Sequence, residues 1–164
     1  MVKILVIFSL GFGINLTTEM SPVLGSWSMR EVHWISTDTT YSIHNTQPGI
    51  FIFTPKSYAI MWTPSQQPRR AFEVLSKPTD EEILDGFRSV VFNAGSYVWT
   101  DSTLISTAVI AKVPGFEGGK QYYRYQIEHG ILTLVMFDET YPDGSKPEWS
   151  GRYVTKFILE KIDS

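Results

Sequence analysis

The chain takes on β-strand character at Pro22 to Met29, PVLGSWSM, where a glycine stands two residues before a tryptophan. Gly25 lacks a β-carbon, so the backbone can turn sharply as the strand begins. The indole of Trp27 carries enough apolar area to plug one end of a small barrel. We therefore predict that Gly25 and Trp27 lie at the floor of a β-barrel.

Short apolar runs separated by turn residues follow this stretch, as in an antiparallel sheet. The turn TPKS, Thr54 to Ser57, separates two such runs, and its proline excludes a continuous strand. Asp101-Ser102 and His129-Gly130 each separate a further pair of runs, which predicts a hairpin at each place. The final run, 151–162, alternates apolar with charged residues and predicts a half-buried strand. The whole pattern predicts an all-β fold, a closed up-and-down antiparallel barrel of about eight strands.

One segment breaks the β pattern and predicts a single inserted amphipathic helix. Thr79 and Glu82 have the spacing of a capping box, which marks a helix start. Apolar residues then recur at helical spacing, at Ile83, Phe87, Val90 and Val91. Residues 93–95, NAG, supply a stop, so the prediction is a helix from Thr79 to Phe92.

The composition favours a single domain and excludes several classes of function. The 164 residues carry a net charge of -3 and no basic run longer than Arg69-Arg70, so nucleic acid is not a leading partner. The chain contains no cysteine, which excludes disulfides, thiolate metal sites and cysteine nucleophiles. His33, His44 and His129 lack metal-ligand spacing, so we predict no metal site and no cofactor. The sequence contains no P-loop, dinucleotide fingerprint or nucleophile elbow.

Residues 1–20 have one lysine followed by an apolar run from Ile4 to about Leu10. This shape is typical of a signal peptide, with Gly11 and Gly13 as the small residues near a cleavage position, and the run is too short to span a bilayer. The alternative is an N-terminal strand or arm packed on the domain. The pattern slightly favours export, to a secreted or periplasmic location, over a cytoplasmic one.

Gly25-Ser26-Trp27 resembles the G-x-W signature of the lipocalin superfamily. In the bacterial lipocalin-like domain family a glycine precedes an apolar strand, a Thr-Pro turn follows, and an aromatic residue opens the next strand. The matching positions here are Gly49, Thr54-Pro55 and Tyr58, followed by Gly95 and Tyr97 after the predicted helix. The resemblance covers about residues 22–161 and implies one barrel domain over residues 21–164. Many lipocalins place a basic residue of the last strand over the floor tryptophan, and the resemblance implies Arg152 for that position.

The resemblance also implies a cavity for a small apolar molecule in the barrel lumen. Tyrosine and tryptophan suit the wall of such a cavity because they combine apolar area with a polar tip. The candidate lining residues are Tyr58, Trp62, Tyr97, Trp99, Tyr123, Tyr125, Phe137 and Tyr153. The competing interpretation is that these rings fill the core themselves, as in many small barrels.

An enzyme is the alternative, an isomerase or cyclase acting on a hydrophobic small molecule inside the barrel. By strand alternation Glu31 and His33 share a face with Trp27, and Tyr58 would assist them in acid-base chemistry. An exposed strand end explains the same pair of ionisable residues more simply. A structural or partner-binding module is a third interpretation, and the sequence indicates neither the ligand nor the oligomeric state.

Overall fold

The computed structural model describes residues 20–162, which contain nine β-strands and one α-helix. The strands are β1 (Gly25–Ser36), β2 (Thr40–Ile43), β3 (Ile50–Phe53), β4 (Ser57–Trp62), β5 (Val91–Trp99), β6 (Thr103–Ala111), β7 (Lys120–Glu128), β8 (Ile131–Thr140) and β9 (Tyr153–Lys161). The helix, α1 (Asp80–Arg88), lies between β4 and β5 in the chain. Apart from Met20, the predicted signal peptide or arm lies outside the described residues. No helix within residues 20–162 is long and apolar enough to cross a membrane.

Eight of these strands form a closed antiparallel barrel in the order β1-β3-β4-β5-β6-β7-β8-β9, with β9 pairing back onto β1. The remaining strand, β2, lies outside this barrel order and pairs with the second half of β1, while the first half of β1 pairs with β3. The predicted fold class is therefore confirmed, with one extra strand beyond the barrel. Closure gives the barrel strands partners on both sides, which removes the exposed edges that promote aggregation.

The predicted hairpins join β3 to β4, β5 to β6 and β7 to β8. At the last of these, His129 and Gly130 have φ angles of 50° and 78°, so both adopt the left-handed backbone that tight hairpin turns require. Gly95 also meets a steric demand, because a β-carbon there would lie 2.0 Å from the carbonyl oxygen of Thr107. Only glycine allows β5 and β6 to approach this closely.

The helix starts where the sequence predicts and ends earlier. Thr79 is the N-cap, and its side chain accepts from the backbone N–H of Glu82, whose carboxylate accepts from the N–H of Thr79. The predicted end at Phe92 is wrong, because α1 stops at Arg88 and Val91 begins β5. Val91 and Phe92 pair with β4, and this long-range pairing prevails over the helical spacing that Val91 also satisfies.

The closed end of the barrel is built around Trp27, which is only 1% exposed. Its indole N–H donates to the carbonyl of Val23 at 2.8 Å, and Gly25 has a φ of 118°, a left-handed conformation suited to glycine. The cation over the Trp27 ring is Lys161, whose Nζ lies 4.9 Å from the ring centre. The expectation for Arg152 is wrong, because Arg152 precedes β9, and the register pairs Trp27 with the opposite end of that strand.

Candidate functional site

Three β-bulges determine which side chains enter the barrel. In β1 the register shifts between Met29 and Glu31, in β6 it shifts next to Ala108, and in β8 it shifts between Met136 and Asp138. Each bulge adds one residue to a strand, so the residues beyond it exchange faces. In β8 the extra residue is Phe137, and Glu139 consequently points inward.

Seven of the eight predicted lining rings occupy inward-facing positions, and Phe137 does not. Phe137 lies on the outer face, where the guanidinium of Arg124 is 4.5 Å from its ring centre and Tyr122 is a ring neighbour. Its expected place in the lumen is wrong because of the bulge in β8. The inward residues are Tyr58, Trp62, Tyr97, Trp99, Tyr123, Tyr125 and Tyr153.

The inward rings near the closed end have structural partners. The hydroxyl of Tyr97 donates to the carbonyl of Thr54 at 2.8 Å, and that of Tyr125 donates to the carbonyl of Thr100 at 2.6 Å. Trp99 packs against the buried core beside them. These hydroxyls tie the strands to neighbouring turns, so we assign these rings to core packing.

An aromatic cluster fills the middle of the barrel on the side of β1, β3, β4 and β9. The ring centres of Trp62 and Phe157 are 5.3 Å apart, and those of Phe51 and Phe157 are also 5.3 Å apart. Trp34 extends the cluster towards the end of the barrel opposite Trp27, which we call the open end. Its ring centre lies 6.1 Å from that of Trp62. Contacts at these spacings are typical of packed aromatic pairs, so this side of the lumen is occupied by protein.

On the opposite side, where β5, β7 and β8 reach the other end of the barrel, the interior wall carries a polar cluster. The hydroxyl of Tyr123 donates to Oε1 of Gln121 at 2.8 Å, and Nδ2 of Asn93 donates to the same oxygen at 3.2 Å. Nε2 of Gln121 then donates to Oε2 of Glu139 at 2.8 Å. We call Asn93, Gln121, Tyr123 and Glu139 the polar wall.

Two buried oxygens on or beside the polar wall have no hydrogen-bond partner. They are Oδ1 of Asn93, which is 6% exposed as a residue, and Oγ of Ser106, which is 1% exposed. Ser106 lies opposite Gln121 in the sheet and close to the phenols of Tyr58 and Tyr123, yet it forms no hydrogen bond of normal geometry. Native proteins rarely leave buried polar atoms unpaired, so two buried oxygens without hydrogen-bond partners in one region are unusual.

Burial changes the proton affinities of this region. It raises the pKa of the Glu139 carboxyl, an effect that the hydrogen bond from Gln121 opposes and the charge of Asp138 reinforces. Burial, with smaller contributions from Tyr58 and Glu139, raises the pKa of Tyr123 well above its usual value. Burial also raises the pKa of Tyr58. Both phenols therefore stay neutral at physiological pH, where they can still donate hydrogen bonds.

A cavity of about 260 Å³ opens beside the polar wall, between the start of β5, the end of β6, the start of β7 and the end of β8. Its lining combines apolar side chains with three members of the polar wall. The lining residues are Val91, Phe92, Asn93, Ala111, Lys112, Val113, Phe116, Gln121, Glu139 and Tyr141. We call this the open-end cavity.

The sequence alone does not predict that Asn93, Gln121 and Glu139 belong to the site. Asn93 belongs to the predicted helix stop, and polar residues at strand ends usually face solvent. Gln121 carried a usable signal, because it shares strand parity with Tyr123, which was expected in the lumen. Glu139 carried no usable signal in the sequence, because its inward direction depends on the bulge at Phe137.

Glu31 and His33 lie on the outer face, so their expected position in the lumen with Tyr58 is wrong. The bulge in β1 turns Val32 inward, where it is fully buried, and turns its neighbours outward. Oε2 of Glu31 lies 3.0 Å from Nε2 of His33 and 2.9 Å from Nδ1 of His44. Nδ1 of His33 is 2.7 Å from Oγ of Ser42, so the cluster links β2 to β1 on the outside of the barrel.

A comparison with protein-family models agrees with the resemblance noted in the sequence. Residues 24–157 match the family model described as Lipocalin-like domain. Among solved structures, this chain is similar to a lipocalin-like protein from Bacteroides uniformis, with 14% sequence identity and a TM-score of 0.41. That alignment covers 85% of this chain and 97% of the other chain. A search of curated proteins found no match.

Proposed function

Because this chain belongs to the lipocalin-like domain family, whose barrel suggests small-molecule binding in general, we propose that it binds one small, mostly apolar molecule in the open-end cavity. The observation that carries the proposal is this cavity of about 260 Å³, in which apolar side chains surround a few polar groups. That combination is usual for small-molecule sites, since apolar area supplies affinity and polar groups orient the ligand.

The cavity lies at the mouth of the barrel, and this position revises the expected site. Aromatic packing around Phe157 occupies the deeper lumen, and Tyr97 and Tyr125 bond to backbone carbonyls near the closed end. A ligand therefore contacts the walls formed by Val91, Val113 and their neighbours in the cavity. Burial of the ligand's apolar surface there contributes about 25 cal/mol per Å². Micromolar affinity is therefore attainable for a molecule that fills the cavity.

A titration with Nile red, an uncharged apolar dye, tests this proposal. We expect one dye per chain with a Kd in the micromolar range. Ala111→Trp fills the cavity and should weaken binding about tenfold or more. Ile110→Trp is the matched control, because Ile110 is the next residue of β6 and is 57% exposed. Failure of the dye to bind, or equal binding by the two variants, would contradict the proposal.

An isomerase or cyclase acting on a hydrophobic small molecule remains the second candidate, now centred on Glu139. A carboxyl whose pKa is raised by burial, lining a cavity, is a candidate for acid-base catalysis. The molecule recovered from protein purified at its source would be incubated with fresh protein. Conversion to an isomer, abolished by Glu139→Gln, would favour the enzyme, while recovery unchanged would favour the binding protein.

We also propose export of the protein, on the basis of the apolar run at residues 4–10 and the lysine before it. The intact mass of protein purified from its source tests this, since removal of a leader shortens the chain from its N-terminus. A mass that includes all 164 residues would contradict cleavage.

A further inference from the structure

We propose that the molecule bound in the open-end cavity carries a hydrogen-bond donor, an alcohol O–H or an amide N–H, and is not a carboxylate. This inference rests on the proposed function and names the chemical class of its ligand. It follows from the direction of each hydrogen bond in the polar wall and from the acceptor that this wall leaves unpaired.

Glu139 sets the direction of the hydrogen bonds. An ionised carboxylate can only accept, so Gln121 presents its Nε2 to Glu139 and thereby presents its Oε1 to the interior. That Oε1 accepts from Asn93 Nδ2 and from the Tyr123 hydroxyl. Rotating the Asn93 amide by half a turn would set two oxygens against each other, so the bond to Gln121 fixes its orientation.

Asn93 consequently keeps one acceptor without a donor. Its Oδ1 is buried and unpartnered, and the side chain lines the cavity. Oγ of Ser106 is the second unpartnered buried oxygen, on the strand next to Gln121, and it does not line this cavity. A third, Oγ of Ser21, lies before β1 and does not line this cavity. A ligand O–H or N–H would satisfy the Asn93 acceptor, whereas an ether, ester or alkane would leave it unpaired.

The charges around the cavity disfavour an anionic ligand. Glu139 lines the cavity, so a bound carboxylate would meet like charge. Lys112 is the cation among the lining residues, and its Nζ lies 4.5 Å from the ring centre of Phe87 on α1. The cavity therefore accepts an uncharged head group better than a negative one.

Displacement of Nile red by four molecules with the same eight-carbon chain tests the inference on the unmodified protein. Octanol and octanamide carry a donor, 1-methoxyoctane carries none, and octanoate carries a negative charge. We expect octanol and octanamide to displace the dye with a Kd about tenfold lower than the other two. If 1-methoxyoctane displaced the dye as effectively as octanol, the inference would be overturned. A water molecule, and not the ligand, would then donate to Oδ1 of Asn93.

Two variants assign the effect to residues. Asn93→Leu keeps the approximate size and should weaken octanol to the level of 1-methoxyoctane, with Asn45→Leu in an exposed loop as its control. Glu139→Gln should improve octanoate binding, and the exposed Glu128→Gln should not. If Asn93→Leu fails to fold, the four ligands on the unmodified protein still decide the inference. Absence of dye binding would overturn the proposed function itself, whereas equal displacement by all four would overturn only the ligand class.

Discussion

The two ends of the barrel satisfy their polar groups in different ways. At the closed end, the indole N–H of Trp27 and the hydroxyl of Tyr97 donate to backbone carbonyls. At the open end, the polar wall bonds side chain to side chain, through Asn93, Gln121 and Glu139. One acceptor of that wall is left without a donor.

The difference shows how one barrel separates stability from binding. Backbone carbonyls are held by the sheet and the turns, so a ring bonded to them is fixed by the fold. A wall of side chains can exchange one hydrogen-bond partner for another without moving a strand. Substitutions at the closed end should therefore lower stability, and substitutions at the open end should change the ligand that is bound.

The largest effect should follow Trp27→Ala, which removes a ring that is only 1% exposed. Loss of its burial and the resulting cavity should lower the free energy of unfolding by about 3 to 5 kcal/mol. Trp149→Ala is the control, because Trp149 is a partly exposed residue that stacks on Tyr153. Chemical denaturation measures both changes. Equal losses in the two variants would contradict the assignment of Trp27 as the anchor of the closed end.

A smaller effect should identify the cation that covers the floor tryptophan. Lys161→Met removes both the cation over Trp27 and the hydrogen bond from Nζ to the carbonyl of Leu24 at 2.9 Å. We expect a loss of about 1 kcal/mol in the free energy of unfolding. Arg152→Met should leave that free energy nearly unchanged, because Arg152 lies in an exposed turn. The reverse ranking in urea denaturation would show that Arg152 performs the role after all.

The smallest effect should be the pH dependence of stability that Glu139 causes. Burial raises the pKa of this carboxyl in the folded state, so its favourable contribution is present below the unfolded pKa and declines as pH rises through the folded pKa. Glu139→Gln cannot ionise and should gain stability relative to the parent between about pH 4 and pH 7. Glu128→Gln is the control for removing an exposed carboxylate. Urea denaturation of the parent and the variant at both pH values checks the sign. A Glu139→Gln variant that loses stability relative to the parent as the pH rises would contradict the prediction.

Much of the architecture could be predicted because it depends on neighbouring residues in the chain. The glycine before Trp27, the proline after Thr54 and the capping box at Thr79 each act within a few residues. Their structures follow from backbone sterics and local hydrogen bonds, which a short window of sequence contains. The end of the helix was mispredicted because Val91 pairs with Trp62, a residue distant in the chain.

The candidate site depended on features that no local pattern contains. A bulge in β1 turns Glu31 and His33 out of the barrel, and a bulge in β8 turns Glu139 into it. A bulge arises from the match between two paired strands, and strands that pair need not be neighbours in sequence.

By itself, the sequence determined an antiparallel barrel of about eight strands, its hairpin turns, the start of its helix and the glycine and tryptophan of its floor. Tertiary structure alone determined that Lys161 covers Trp27 and that Asn93, Gln121 and Glu139 meet at the opposite end. The physical reason is the two-residue period of a β-strand. One added residue turns each later side chain of that strand to the other face of the sheet. Pairing across the sheet sets the position of the added residue.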